Sequence, residues 1–232
     1  MAKNEVKVTA EQINKRKKIT KWIKISVLVI FLFLFGLYLI LSLVNNGGNF
    51  TVVLSNKLAK DNRLSIYEVK DDFDFHRRLS AKGLDNMDNI SMDWLPTNID
   101  TEADGSHNGE NYIAYSFYVE NRGESTVNYW EEVYIDDVIK NIDEAIRFMI
   151  IQNGNRTIYA KANSTTGKAE TGTEKFYSKD KIVVRPRKDF APGAVDRYTV
   201  VIWLEGSDED CVNELIGGEI KMHMEITDEV VE

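Results

Sequence analysis

The chain has 232 residues, 43% of them hydrophobic and 28% charged, with a formal net charge of -8. That balance excludes a disordered polymer, which is poorer in apolar residues, and a multi-span membrane protein, which is richer. The charge is unevenly spread: residues 1–24 hold eight basic and two acidic residues, a net of +6, which leaves -14 for the rest. An acid excess of that size argues against nucleic acid as a partner, because neutralising phosphates needs clustered Lys and Arg.

Residues 1–24 form a basic tail whose cations crowd toward its end, at Lys15-Arg16-Lys17-Lys18, Lys21 and Lys24. Directly after it, Ile25 to Val44 (ISVLVIFLFLFGLYLILSLV) contains no charged residue. At about 1.5 Å per residue, a helix of that length spans the roughly 30 Å hydrocarbon core of a bilayer. The run exceeds the usual apolar core of a cleavable signal, and no small-x-small site follows it, so it reads as an uncleaved anchor. The lipid bilayer is therefore an expected partner through Ile25–Val44. Positive charge before the span and none in Asn45–Asn49 after it predict a cytoplasmic amino terminus and an exported remainder. The basic tail then serves as a topology signal that also attracts anionic lipid. Residues 45–49 (NNGGN) read as a flexible linker.

Residues 50–232 are read as one extracytoplasmic domain. FTVVL (50–54) and LSIYEV (64–69) have strand composition, and residues 73–82 fit a helix. The polar stretch 98–111 is expected to be a mobile loop. Residues 112–120 (YIAYSFYVE) put Ile113, Tyr115, Phe117 and Val119 on one face; a turn at 121–124 and STVNYWEEVYI (125–135) complete a predicted hairpin. Val138, Ile142, Ala145, Ile146 and Met149 fall at helical spacing after Asp136 and Asp137, which predicts a helix over 137–148. A second hairpin is predicted from 147–152 and 156–162 about Asn153-Gly154. A polar loop at 163–174 and strands at 181–185 and 197–204 follow. Next comes a short turn at 211–215, stopped by Gly217-Gly218. The last strand is 219–227, with Ile220, Met222, Met224 and Ile226 facing inward. The sum is a mainly β protein: a β-sandwich of immunoglobulin-like or jelly-roll type with one inserted helix, behind a single transmembrane helix.

Chemistry is harder to find. Asp100, Glu102 and Asp104, with Gly105, imitate the opening of a calcium loop, but the twelfth position is Asn111, where a bidentate Glu is required. Asp85, Asp88, Asp208 and Asp210 are further oxygen donors on loops. The three histidines, His76, His107 and His223, are far apart and form no zinc motif. Cys211 is the single cysteine, and its acidic neighbours Asp208, Glu209 and Asp210 oppose a thiolate. It lacks the Thr-Leu-x-Thr lead-in and downstream arginine of the sortases. No Walker loop, dinucleotide fingerprint or GxSxG is present, so no cofactor is expected. Tyr129, Trp130 and Tyr134 make an aromatic group suited to a contact surface, and Trp203 reads as core.

The runs Asp189-Phe190-Ala191-Pro192-Gly193, Arg197-Tyr198-Thr199-Val200 and Trp203-Leu204-Glu205-Gly206, with Tyr118-Val119-Glu120-Asn121 and Gly123, carry a family likeness. They resemble the exported β-sandwich proteins of Gram-positive bacteria related to camelysin and the TasA-like matrix proteins. The resemblance covers turns and core strands of the carboxy-terminal half, and implies the fold more than an activity. With it, the expectation is a surface protein that acts by contact with an unidentified envelope protein, without catalysis. The alternatives are a calcium- or cell-wall-carbohydrate-binding module, or an accessory subunit of a membrane complex.

Overall fold

The apolar run begins the architecture. In the computed structural model it lies in one continuous helix, α1 (Ala2–Asn45). The stretch Gln12–Leu39 is long and apolar enough to cross a membrane, and none of it is buried in protein. Residues 2–45, 50–55, 58, 64–70 and 76–227 are described, with the side chains of α1 described for 12–39. The chain divides into two compact units, Met1–Gly47 and Gly48–Glu232. Most of the predicted linker, 46–49, lies outside the described residues.

In the second unit twelve strands are described: β1 (Phe50–Leu54), β2 (Leu64–Tyr67), β3 (Arg78–Ser80), β4 (Gly105–Ser106), β5 (Tyr112–Asn121), β6 (Val127–Ile139), β7 (Ile146–Gln152), β8 (Asn155–Ala160), β9 (Glu174–Lys175), β10 (Lys181–Phe190), β11 (Val195–Leu204) and β12 (Glu219–Thr227). They form a β-sandwich. One sheet has the order β10-β6-β12-β1-β3, the other β2-β5-β11-β7-β8-β9 with β4 on β5. Both sheets are mixed, since β1 runs parallel to β12 and β8 parallel to β9. Pro186 sits on β10, an edge strand, where its missing N–H breaks no interior ladder.

The core follows from alternation. Tyr115, Phe117, Phe148, Val200 and Ile202 of one sheet meet Phe50, Val52, Val133, Met222 and Met224 of the other. Strand β11 is buried on both faces, which explains its nearly unbroken apolar run. Its second face, Val201 and Trp203, packs with Ala114, Met149 and Ile151 beneath Ile90 and Ile99 of the preceding long segment. Trp203 is fully buried, as its sequence setting predicts. Glu205 fastens this cover: it accepts hydrogen bonds from Trp203 Nε1 (3.0 Å) and from the Met92 backbone (3.1 Å). Ile99 within 98–111 is therefore a packed residue, and His107 places its ring nitrogens 3.0 Å from the carbonyls of Gly105 and Ile99.

Three expectations are corrected. Residues 112–120 and 125–135 do not pair as a hairpin: β5 pairs with β11, β2 and β4, whereas β6 pairs with β10 and β12. The turn is an arch between sheets, built by Asn121. Its amide donates to the carbonyls of Ser125 (3.0 Å) and Phe190 (2.7 Å), and its oxygen accepts from Gly123 N (3.0 Å). The predicted helix over 137–148 is instead the end of β6, a left-handed turn at Lys140 and Asn141, a 3-10 turn at Ile142–Glu144, and the start of β7. Val138 and Ile142 reach the core from either side of that turn, so spacing alone imitated a helix. In the stretch 73–82, residues 78–80 are β3, and 73–75 lie outside the described residues. The hairpin about Asn153-Gly154 forms with both residues at positive φ, the turn that matches strand twist, and β12 has the predicted bounds.

Candidate functional site

The residues singled out in the sequence go to three places. Tyr129 is not surface: it is fully buried between the sheets. β6 alternates there, so Tyr129 and Glu131 point inward while Trp130, Glu132 and Tyr134 point outward. The Tyr129 hydroxyl donates to Asp196 (3.0 Å) and lies 2.7 Å from the Tyr198 hydroxyl, which donates to Glu131 (2.6 Å). Arg185 of β10 grips Glu131 through Nη2 (2.6 Å) and Nε (3.1 Å), and also reaches Gln152 (3.0 Å). Arg187 (2.7 Å) and Asn153 (2.8 Å) donate to Asp196. The two carboxylates diverge in acidity. Burial raises the Glu131 pKa against the pull of Arg185 and Tyr198. Burial also pushes on Asp196, but donation from Arg187, Asn153 and Tyr129 outweighs it and holds the group below its ordinary range. These groups are saturated by one another, and they tie β6 and β10 of one sheet to β7 and β11 of the other.

On the outer face of the first sheet, Trp130 and Tyr134 are half-buried. Tyr134 stacks on His223 at 4.8 Å, takes Lys181 over its ring at 4.9 Å, and hydrogen-bonds Glu132. His223 lies 2.7 Å from Asp136. Glu132 is fully buried and faces Glu225 directly across β12. Its Oε2 lies 3.4 Å from Lys181 Nζ, and its Oε1 has no hydrogen-bond partner. Burial, with the Glu132 charge, raises the Glu225 pKa over the opposing effects of His223 and Lys181. Of the aromatic group read from sequence, this face keeps Trp130 and Tyr134 and adds His223, Glu132 and Glu225.

Asp100, Glu102 and Asp104 are not brought together as a metal site. Asp100 meets Arg156 (3.3 Å), and Asp104 accepts from Tyr118 (2.8 Å) and Arg197 (3.4 Å), so these acids hold loop 98–111 to the second sheet. Among the described residues, the carboxylates that converge are Glu170, Asp208 and Asp210, whose oxygens lie within 4.8 Å of one another. Asp208 is paired with Arg147 (2.6 Å), and Asp210 takes two hydrogen bonds from Ser164 (2.5 and 2.9 Å). Glu170 Oε1 is buried without a partner. Asp208 and Asp210 were visible as loop acids, but Glu170 is 38 residues away from Asp208 in the chain, and no spacing rule connects them. Burial, reinforced by Asp208 and Glu205, raises the Cys211 pKa, as its acidic neighbours suggested.

No protein-family model matches the chain, and no curated protein matches it. Among solved structures, a β-glucosidase from Kluyveromyces marxianus in complex with glucose aligns over 72% of this chain and 15% of its own, at 10% identity and a TM-score of 0.26. A likeness that loose carries no argument about fold or activity.

The Glu132–Glu225 pair makes stability depend on pH. The folded-state pKa of Glu225 lies above its unfolded value, so its contribution to stability is present at low pH and lost as pH rises through the folded pKa. Glu225→Gln should therefore stabilise the protein at neutral pH by about 0.2–1 kcal/mol, the scale of a cross-strand like-charge pair. The gain should shrink toward zero in thermal melts taken below the carboxylate range. A gain that does not change with pH would contradict the assignment.

Proposed function

We propose that the chain is a single-pass membrane protein, with residues 1–24 cytoplasmic, Ile25–Val44 in the bilayer and residues 50–232 displayed on the outer side at a Gram-positive-type cell envelope. The displayed sandwich acts by contact with another envelope protein and performs no catalysis. The observation that carries this reading is α1. Its apolar side chains, such as Phe31 and Phe33, stand 64% and 68% exposed, a state that surrounding lipid would accommodate. The sandwich supports the same reading, because it closes a core of its own and its buried acids Glu131, Asp196, Glu205 and Asp208 each serve a named internal contact. The contact face is the outer side of the five-stranded sheet around Trp130 and Tyr134, where half-buried aromatics sit among charged groups. Intact cells treated with protease should lose residues 50–232, while an alkaline carbonate wash leaves untreated chain in the membrane pellet. Release by carbonate, or a sandwich protected from protease until cells are lysed, would contradict the proposal.

A second reading, a calcium-binding module, is favoured by the convergence of Glu170, Asp208 and Asp210 and by the unpartnered Glu170 oxygen. Hard cations prefer such all-oxygen sites. Under it, calcium raises the melting temperature relative to chelator and Glu170→Gln removes the rise; an unchanged melt dismisses the reading.

A further inference from the structure

We infer that the basic end of α1 holds an anionic lipid headgroup in a defined groove on one face of the helix; this rests on the anchor reading above. Lys17, Lys21 and Lys24 stand at i, i+4 and i+7, so at 3.6 residues per turn they fall within about 60° of one another. All three are exposed, as is Arg16 beside them. A shallow groove runs down this face. It is lined by Arg16, Lys17, Thr20, Lys21 and Lys24, with Ile13 at the end far from the apolar run and Ile25 and Leu28 at the end that adjoins it. The order matches a phospholipid laid along the helix, with the phosphate among the cations and the first acyl carbons against Ile25 and Leu28.

Heights agree with that placement. Lys24 adjoins the first residue of the apolar run, and at about 1.5 Å per residue Lys21 stands ~6 Å and Lys17 ~12 Å beyond it. The headgroup layer extends roughly 5–8 Å past the hydrocarbon on each side, and the Debye length at physiological salt adds about 8 Å. The whole stripe thus lies where an anionic surface is felt. Lys15 and Lys18 are at similar height but lie outside the groove lining. A topology signal needs only charge count, whereas Lys17, Lys21 and Lys24 share one face with Ile25 and Leu28 beside them.

The test titrates the full chain in mild detergent with phosphatidylglycerol or phosphatidylcholine and counts bound lipid by native mass spectrometry. Phosphatidylglycerol should bind first. Lys17→Gln with Lys24→Gln should weaken it by about tenfold or more, since each cation near the surface is worth roughly fivefold. Lys15→Gln with Lys18→Gln removes the same charge off the groove and should leave binding within about twofold, well inside the effect of one cation. Equal binding of the two lipids, or equal losses in the two variants, overturns the inference. The unaltered chain is also washed with carbonate from phosphatidylcholine vesicles. Retention there without lipid preference defeats the groove alone, and release defeats the anchor reading and the groove together.

Discussion

Two carboxylates enclosed between apolar sheets are the constraint on which the sandwich depends. Glu131 and Asp196 cannot stay charged in that position without donors, since an unpaired buried charge costs several kcal/mol. The structure supplies Arg185 and Tyr198 for the first, and Arg187, Asn153 and Tyr129 for the second. The donors come from β6, β10, β11 and the turn after β7, so satisfying the acids fixes how these strands are stacked. With no disulfide available to a chain whose one cysteine is free, a directional contact of this kind sets the register that hydrophobic packing leaves loose.

The same economy of charge extends to the loops. Acids that look idle in a sequence are engaged in the fold: Asp104 with Tyr118 and Arg197, Glu205 with Trp203, Asp208 with Arg147. On the outer face of the first sheet, Glu132 and Glu225 oppose each other beside Trp130 and Tyr134. In α1 every cation precedes the uncharged run Ile25–Val44. The overall charge of -8 is therefore the sum of a basic amino-terminal segment and an acidic remainder.

Period-2 alternation and turn chemistry made the strands legible. β12 was read to its last residue, and the Asn153-Gly154 hairpin followed from two residues that tolerate positive φ. Pairing was not legible. The turn after β5 carries hairpin residues, yet Asn121 bends it into an arch, because its side chain finds Ser125 and Phe190, contacts 4 and 69 residues away. The helix read over 137–148 failed for a related reason: apolar residues flanking a tight turn can mimic a 3.6-residue period. Burial of Tyr129 was hidden because the aromatic pattern of β6 gives two faces without saying which one meets the core. The Glu170 cluster and the Glu131–Asp196 network join residues from distant strands and loops, which a single sequence does not relate.

The most direct measurement is chemical denaturation of Arg185→Met, alone and combined with Glu131→Gln. If the buried network holds the sheets together, the single change strands the Glu131 charge and costs about 3–5 kcal/mol, and the second change returns a large part of that loss. A cost under about 1 kcal/mol for Arg185→Met, the level of an exposed ion pair, or no recovery in the double variant, would contradict the account.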